Sequence, residues 1–293
     1  MRGRGTGIRL QAYFGDLGGR VPFSVRGHGG RCPMSETLTE HDLRALLGVV
    51  EEGRRDAPTE GLPWATLDEL ARLVRCDCVA FPEADLVAER GLLNQWLDAD
   101  GRGLELDDAD DPEPEFWAAN RVFLPCTYAE RTGDFTTVVR WSDFYSSAEL
   151  REQPAYADFF FAHDGTTHAL HASLPALPGH FRKITFWRAG GPDFTERDRL
   201  VVQLLRPHIW ELFLDSQRRL GRVPKLTARE WEVLRLAGQG YGNRDIAREL
   251  FVSVSTVRKH LEHIFDRTGT RTRGAAAALM MPHQPAVALP RRT

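Results

Sequence analysis

The C-terminal part of the chain, residues 226–280, carries four short helical patterns in close succession, each with its own start signal. Thr227 and Glu230 form a capping box for the first helix, which Gly238 or Gly240 ends. The second helix covers about residues 244–250, and Phe251 and Val252 form the turn after it. Ser253 caps a third helix over residues 254–268, Thr272 caps a fourth, and Pro282 stops it. Short helices so close together bury their apolar faces against one another, which predicts a small all-α domain.

The third helix separates its side chains into an apolar face and a polar face at about 100° per residue. The apolar face holds Val257, Leu261, Ile264 and Phe265, and the polar face holds Ser255, Arg258, Lys259, Glu262 and Asp266. Guanidinium, ammonium and carboxylate groups can read base edges in a major groove. The flank carries groups that can contact phosphates, namely Thr256, His260, His263 and Arg267. The pattern predicts a helix-turn-helix, and the alternative is a plain helical bundle with a solvated charged face.

The formal net charge of −3 conceals an uneven distribution along the chain. Residues 1–221 hold 25 Lys and Arg against 35 Asp and Glu, whereas residues 222–293 hold 13 against 6. The two parts therefore carry −10 and +7. A basic module on an acidic body brings only one end of the protein close to phosphates, which favours nucleic-acid binding by the C-terminal part. A solvated basic tail is the alternative.

Residues 226–280 strongly resemble the DNA-binding domain of LuxR-type bacterial transcriptional regulators. Caps, core positions and the turn glycine agree with that family in order and spacing. The matching residues are Leu226, Thr227, Arg229, Glu230, Glu232, Val233, Leu234, Gly240, Asn243, Ile246, Ala247, Leu250, Ser253, Thr256, Val257, His260, Ile264, Gly269 and Arg273. The resemblance implies a third helix in the major groove and a fourth helix that helps to form a dimer. It implies base contacts for Arg258, Lys259 and Glu262, and backbone contacts for Ser255, Thr256, His260, Arg267 and Arg273.

Three positions depart from the family pattern. Gly242 stands where the second helix usually has a serine-type cap, which weakens its start by roughly a few tenths of a kcal/mol. Thr268 stands where leucine is common. Trp231 lies about 110° from the centre of the apolar face of its helix, at a position that is usually polar. The sequence shows no local burial for this indole, so we expect Trp231 to anchor the domain to the sensory domain or to a second subunit.

The larger N-terminal part mixes helices with short strands. Helical periodicity predicts a helix over residues 35–52, with Leu43, Leu46, Leu47 and Val50 on one face, and a second helix that ends near residue 75. Strand-like runs follow at residues 76–81, 91–97, 136–141, 168–174 and 181–188. A long helix over residues 196–219, capped by Thr195 and Asp198, closes this part. The order predicts an α+β fold, in which an antiparallel sheet with helices precedes the small all-α domain.

The closing helix is apolar nearly all round. One side holds Val201, Leu204, Leu205 and Leu212, and other sides hold Val202, Ile209, Trp210 and Phe213. A helix on one sheet needs a single apolar stripe, so a second partner is expected. We assign Ile209 and Phe213 to an interdomain or homodimer contact, and burial by other parts of the same chain is the alternative. Pro207 removes a backbone N–H and should bend the helix near residue 203.

Residues 64–215 resemble a GAF-type sensory domain. The resemblance rests on element order and on one stretch before the linker, ITFWRAGGPDFTERDRLVVQLLRPHI. A phosphoacceptor receiver is not supported, because Lys183, the only lysine before the linker, lies within a strand. The tryptophan and tyrosine spacing of quorum-sensing ligand domains is not evident either. The predicted segments are disordered 1–33, helix and linker 34–63, GAF-like domain 64–215, linker 216–225, helix-turn-helix domain 226–285 and tail 286–293.

No catalytic or metal site can be assembled from the sequence. His168 and His171 are three residues apart in a strand and point to opposite faces. Cys76 and Cys78 share a strand face that Cys126 can approach, but buried small hydrophobic side chains are the commoner interpretation. The acidic run at 107–111 is followed by proline where an EF-hand loop needs glycine. We therefore expect no enzyme activity, no cofactor and no metal.

Residues 1–33 hold nine glycines, six arginines and one acid without periodicity, which predicts disorder. The contrast with the helical pattern that follows favours Met34 as the biological start, and a flexible basic arm is the alternative. The chain has no run of roughly 18 apolar residues and no signal-like apolar run near the N-terminus, so we expect a cytoplasmic protein.

The sequence as a whole predicts a dimeric, sequence-specific DNA-binding transcriptional regulator with a sensory N-terminal domain. The expected partners are double-stranded DNA, a second copy of the chain and an unknown small-molecule ligand, and RNA polymerase is a further candidate. The alternative is a metabolite-binding or catalytic GAF-like domain whose helix-turn-helix serves as a protein-interaction adaptor.

Overall fold

The computed structural model describes residues 38–106, 114–177 and 179–281. The chain divides into two compact units, with the boundary between Phe213 and Leu214. The predictions for residues 1–33, for the acidic run at 107–111 and for the chain from residue 282 onward lie outside the described residues. No helix in the described ranges is long and apolar enough to cross a membrane.

Two helices open the N-terminal unit, α1 (Glu40–Arg55) and α2 (Trp64–Val74). α1 begins later than predicted, at a capping box that Thr39 forms with Asp42. The predicted apolar face of α1 is wrong at two positions, because Leu43 and Leu47 are 50% and 64% exposed. The buried residues of α1 are Asp42, Val49 and Gly53.

Arg197 explains why α1 turns Asp42 inward. The Arg197 guanidinium donates through Nε to Asp42 Oδ1 at 3.1 Å and through Nη1 to the carbonyl of Leu73 in α2 at 3.1 Å. The hydrogen bond from Arg197 lowers the pKa of Asp42 to about 2, so both groups are charged at neutral pH. Close approach at the other end of α1 requires Gly53, where a Cβ would clash with the hydroxyl of Thr66. α1 is therefore integral to the N-terminal unit, whereas the sequence predicted a separate helix joined by a linker.

The described strands of this unit form one antiparallel sheet in the order β3-β2-β1-β6-β5-β4. Val79 of β1 lies opposite Phe186 of β6, and Ala80 lies opposite Thr185, so these two strands form the centre of the sheet. The bounds are Cys78–Asp85 for β1, Arg90–Asp98 for β2, Gly101–Leu106 for β3, Val139–Arg140 for β4, His168–Ser173 for β5 and His180–Arg188 for β6.

Two strands differ from the sequence-based expectation. β3 was not predicted, because its glycines are unfavourable in strands. Gly103 is needed in β3 because a Cβ at this position would clash with the indole of Trp96 on β2. β4 covers only two of the six residues predicted as strand. The carboxylate of Asp134 accepts hydrogen bonds from the N–H and hydroxyl of Thr136 at 2.9 and 2.7 Å, which holds the first part of that segment in a turn.

One face of the sheet is covered by short helices that were not predicted. They are α3 (Pro114–Val122), α4 (Leu124–Thr132), a 3-10 turn (Trp141–Asp143), α5 (Ser147–Arg151), a π-helix (Ala155–Phe160) and α6 (Phe161–Asp164). Their aromatic side chains pack on one another: the ring of Phe123 lies 5.2 Å from the rings of both Trp141 and Phe160. Short helices rich in aromatic residues have weak intrinsic propensity, so packing on the sheet stabilises them.

The opposite face of the sheet packs against α7 (Glu196–Arg219), whose bounds agree with the prediction. The ring of Phe213 lies 5.3 Å from the ring of Phe81 in β1, and the Arg182 guanidinium of β6 lies 4.5 Å from Phe213. The assignment of Phe213 to an interdomain or dimer contact is therefore wrong, because the sheet of the same chain covers it. Ile209 is fully buried as well, so it offers no surface to a second copy. α7 also extends into the predicted linker at 216–225.

The described part of the C-terminal unit begins with the last turns of α7 and holds four further helices. They are α8 (Ala228–Gly238), α9 (Asn243–Glu249), α10 (Val254–Thr268) and α11 (Arg273–Met280). The side chains of Thr227, Ser253 and Thr272 cap α8, α10 and α11 as predicted. α9 starts at Gly242 without a side-chain cap. An antiparallel sheet with helices followed by a helical domain confirms the predicted α+β fold.

Trp231 belongs to the core of the C-terminal unit. It is 7% exposed and lies in one cluster with residues of α9, α10 and α11 and with Val223 and Leu226, which precede α8. The expectation that this indole lacks local burial is therefore wrong. Because α8 is surrounded by the other helices and by the segment before it, more than one of its faces is buried.

Candidate nucleic-acid interface

α10 has a buried side and an exposed side, as its amphipathic pattern predicts. Val257, Leu261 and Ile264 lie in the core of the C-terminal unit. The three residues predicted to contact bases, Arg258, Lys259 and Glu262, are all exposed. No hydrogen bond or ion pair within the described residues holds these three side chains. The helix therefore presents two cationic groups and one carboxylate that are free to bind another molecule.

Hydroxyl groups gather at the N-terminus of α10. Ser253 Oγ accepts the Thr256 N–H at 3.0 Å and lies 2.7 Å from both Ser255 Oγ and Thr256 Oγ1. Ser255 is exposed, and Thr256 and His260 are half-buried. The first turn of a helix has backbone N–H groups without helical partners and a partial positive charge, a combination that suits anions. The predicted backbone contacts of Ser255, Thr256 and His260 thus lie at or near the end of α10 that attracts phosphate.

The other two predicted backbone contacts form hydrogen bonds inside the unit. Arg267 Nη1 donates to Glu230 Oε2 at 2.5 Å and to the Lys225 carbonyl at 3.2 Å. Arg273 Nη1 donates to the Tyr241 carbonyl at 3.0 Å. Both arginines therefore have a structural role that the sequence pattern did not reveal.

Glu230, which the capping-box pattern predicts only as a helix cap, is the buried partner of Arg267. Its side chain is 3% exposed and accepts hydrogen bonds from the N–H and hydroxyl of Thr227 at 2.7 and 2.8 Å. Burial raises the pKa of Glu230, but the hydrogen bonds from Thr227 and the charge of Arg267 outweigh burial, and the pKa lies below its usual value. Glu230 is therefore charged at neutral pH and fixes Arg267 on the flank of α10.

A small cavity lies in the N-terminal unit between the sheet and its aromatic helices. Its volume is about 30 Å³, which is room for one or two water molecules. The aromatic wall residues are Phe116, Trp141, Phe160, Phe181 and Trp187, and the polar ones include Asn120, His171, Lys183 and Thr185. Apolar walls with a few convergent polar groups are found in small-molecule sites, but such sites have volumes of roughly 300–1,000 Å³, so this cavity as it stands has room only for water.

His171 brings an unused hydrogen-bond donor to this cavity. Its Nε2 accepts the Trp141 Nε1–H at 2.9 Å, and burial lowers the pKa of His171 to about 3. The imidazole is therefore neutral and carries its proton on Nδ1. Nδ1 is buried and has no hydrogen-bond partner in the described part of the chain. His168 lies elsewhere, 3.4 Å from Asp193, so the two histidines are not brought together.

The described cysteines are free thiols. Cys78 and Cys126 pack against the aromatic core, and burial raises the pKa of Cys76 and of Cys126 to about 12. The thiols of Cys76 and Cys126 are therefore protonated at neutral pH and unreactive. Across the described ranges, no group of three or more His, Cys, Asp or Glu side chains is placed to hold a metal ion.

The C-terminal unit matches a known family. Residues 224–280 match the model described as bacterial regulatory proteins, luxR family. Oxygen regulatory protein NreC from Staphylococcus aureus (strain JH9) is 48% identical over 75 residues, which are 26% of this chain and 35% of that protein. The NreC of strain USA300 gives the same values. The chain thus spans only 35% of the length of these curated relatives. The predicted LuxR-type helix-turn-helix domain is confirmed for residues 224–280.

Solved structures with a similar course of the chain are distant. "SdiA in complex with octanoyl-rac-glycerol" is 15% identical with a TM-score of 0.41, covering 84% of this chain and 97% of that chain. The VqsR LBD domain from Pseudomonas aeruginosa is 13% identical with a TM-score of 0.36, covering 62% of this chain and 96% of that chain.

Proposed function

We propose that the chain is a homodimeric bacterial transcriptional regulator of the cytoplasm that binds specific DNA sequences through its C-terminal unit. The outer side of α10 carries this proposal, because Arg258, Lys259 and Glu262 are exposed and unpaired there while the inner side forms core. Arginine and lysine donate to guanine O6 and N7, and glutamate accepts from cytosine N4. The charge of +7 on residues 222–293 supplies the general attraction to phosphates.

The proposed docking places α10 in the major groove. Ser255, Thr256 and His260 contact phosphates beside the N-terminus of the helix, where backbone N–H groups add to the attraction. Arg267 and Arg273 contact phosphates from the flank, with the Glu230 carboxylate and the Tyr241 carbonyl fixing their positions. RNA polymerase is the further partner through which a bound regulator acts on transcription.

The homodimer requires an uncovered apolar surface on the protein, and α1 offers one. Leu43 and Leu47 are four residues apart, lie on one face of α1 and are 50% and 64% exposed. We assign this face to a second copy of the chain, because a two-fold DNA site requires two copies in a fixed geometry. Leu47→Glu would place a charge in that contact and should shift the protein from dimer to monomer in sedimentation equilibrium. A dimer that persists in Leu47→Glu would show that the dimer contact does not include this face of α1.

The N-terminal unit is proposed to be a GAF-like sensory domain. Support comes from the lining of the aromatic cavity, where His171 Nδ1 is a buried hydrogen-bond donor without a partner among the described residues. At about 30 Å³ the cavity must widen before it can admit a small molecule. An enzyme is not proposed, because the buried polar groups there do not form a nucleophile with a base and an orienting group.

Mapping of bound DNA in cells tests the proposed function. The wild-type protein should enrich discrete sites that share an inverted repeat, and a variant with Arg258→Ala, Lys259→Ala and Glu262→Ala should enrich none of them. Arg235→Ala is a matched control, because it removes an exposed arginine from α8 and should retain the wild-type sites. Absence of enriched sites for the wild-type protein would contradict the proposal.

A further inference from the structure

The turn between α9 and α10 holds an aromatic side chain in an unfavourable position. Phe251 is 95% exposed and has a φ of 54°. This left-handed conformation is imposed by the end of α9, where the Phe251 N–H bonds to the Arg248 carbonyl at 3.3 Å and the Val252 N–H bonds to the Ala247 carbonyl at 2.9 Å. Glycine usually occupies such a position, because an L-residue is strained there. Phe251 therefore adds both backbone strain and exposed apolar surface to the free protein.

The two backbone hydrogen bonds hold the strained conformation, but no side-chain contact in the described residues covers the ring. The ring of Phe251 makes no aromatic or cation contact in the described chain. Within residues 243–268, all of which the structure describes, Phe251 is the only large apolar side chain that is exposed. The exposed aromatic side chain that precedes it in the sequence is Tyr241, ten positions earlier and 41% exposed.

The position of Phe251 in the chain connects it to the proposed DNA surface. It precedes the α10 cap, Ser253, by two residues, so their Cα atoms are at most about 7.6 Å apart. Ser253, Ser255 and Thr256 form the hydroxyl cluster at that end of the helix. A side chain at this place can reach the edge of a groove that α10 enters.

We propose that the Phe251 ring packs on DNA at the edge of the groove that α10 enters, against deoxyribose carbons or a thymine methyl group. The inference rests on the proposed function and adds an apolar contact to it. Aromatic side chains stack on or contact the apolar parts of nucleotides, and phenylalanine contacts thymine methyl groups in major grooves. The contact buries the exposed ring and accounts for an aromatic residue at a position where glycine would be less strained.

A protein partner fits the surroundings of Phe251 less well. Protein interfaces have a contiguous apolar centre of several side chains. The polar residues near Phe251 in the sequence are Ser253, two residues after it, the exposed Glu249, two residues before it, and Arg248, which lies 3.5 Å from Asp245. The ring precedes the hydroxyl cluster at the start of α10 by two residues, and an apolar group beside hydroxyl groups suits a nucleic-acid backbone, in which sugars and phosphates alternate.

The test measures affinity of the full-length protein for the duplex that the wild type selects, by fluorescence anisotropy over a range of salt concentrations. Phe251→Gly and Phe251→Asn tolerate the positive φ and remove the ring. Each should weaken binding by roughly 10-fold, about 1.4 kcal/mol, with an unchanged salt slope because no phosphate contact is lost. Hydrogen exchange of the α9 and α10 amides should be as slow in Phe251→Gly as in the wild type or slower, since strain is relieved.

Phe251→Tyr is the matched control, because it keeps both the ring and the strain, and it should bind within about 2-fold of the wild type. Uracil in place of thymine in the duplex removes the methyl group and leaves the sugar unchanged. The affinity of the wild-type protein should therefore fall only if the ring contacts the methyl group. Wild-type affinity in Phe251→Gly would overturn the inference, and so would an equal loss in Phe251→Tyr. If Phe251→Gly binds DNA normally but fails to activate transcription with purified RNA polymerase, the ring contacts a protein instead. Arg258→Ala in the same assay separates failure of the inference from failure of the proposed function. A loss of DNA affinity in Arg258→Ala with none in Phe251→Gly contradicts only the inference. No loss of affinity in either variant contradicts the proposed function.

Discussion

Replacing Trp231 with alanine should strongly destabilise the C-terminal unit. The indole is 7% exposed and packs within a core that the unit builds from its own helices. A buried aromatic side chain covers about 150–250 Å², and its truncation to alanine costs about 3–5 kcal/mol. For a domain of 60–100 residues, a loss of 3 kcal/mol lowers the midpoint of thermal unfolding by roughly 12 °C or more. The unit should thus lose a large part of its stability without any change elsewhere in the chain.

Thermal and urea unfolding of residues 214–293, followed by circular dichroism, measures this loss, and the full-length protein serves for comparison. Trp231→Phe keeps a ring in the core and should cost less than half as much as the alanine variant. Arg235→Ala, on the exposed side of the same helix, should stay within about 0.5 kcal/mol of wild type. The reasoning would be refuted if Trp231→Ala lowered the free energy of unfolding of residues 214–293 by less than about 1 kcal/mol while it lowered the stability of the full-length protein by more. Trp231 would then be the anchor that its helical position suggested.

Two further predictions concern Arg267, the partner of the buried Glu230, and the buried His171. Arg267→Ala leaves Glu230 without its cation and should lower the free energy of unfolding by about 1–2 kcal/mol. Arg273→Ala loses one hydrogen bond to a carbonyl and should lower it by about 1 kcal/mol or less. Equal losses for the two variants in urea unfolding would contradict the structural role of Arg267. The pKa of His171 is about 3 in the fold and 6.5 in an unfolded chain, so protons bind preferentially to the unfolded state between these values and stability should fall as the pH drops from 6.5 towards 3. His171→Gln should reduce that decline, and an identical pH dependence in both proteins would show that another group causes it.

The C-terminal unit was largely predictable because its signals are local. A cap, such as Ser253 with the N–H of Thr256, involves residues three apart, and the two sides of α10 follow from helical periodicity alone. The ion pair of Glu230 with Arg267 joins residues that are 37 apart in the sequence. No local sequence pattern predicts a contact over that separation. Trp231 was misjudged for a related reason: helical angles describe one helix, whereas its burial depends on how many other helices surround it.

The N-terminal unit was less predictable because distant contacts decide its details. The side of α1 that is buried depends on Arg197, which is 155 residues from Asp42 in the sequence, and this contact leaves Leu43 and Leu47 exposed. The long helix α7 was predicted correctly because it is long and capped. Its second apolar stripe was assigned to another subunit, although the sheet of the same chain covers Phe213. Periodicity shows that an apolar helix face must be covered. Only the tertiary structure shows which part of the chain covers it.

Selection of binding sites from random DNA duplexes tests the central claim, that α10 reads base sequence. Wild-type protein should enrich an inverted repeat with half-site centres about 10 base pairs apart. Arg258→Ala should bind the preferred site about 1–3 kcal/mol more weakly and lose preference at one base position in each half-site. Arg235→Ala should select the wild-type sequence. Identical preferences for the wild type and Arg258→Ala would remove Arg258 from base reading, and failure of the wild-type protein to enrich any sequence would contradict the account of a sequence-specific regulator.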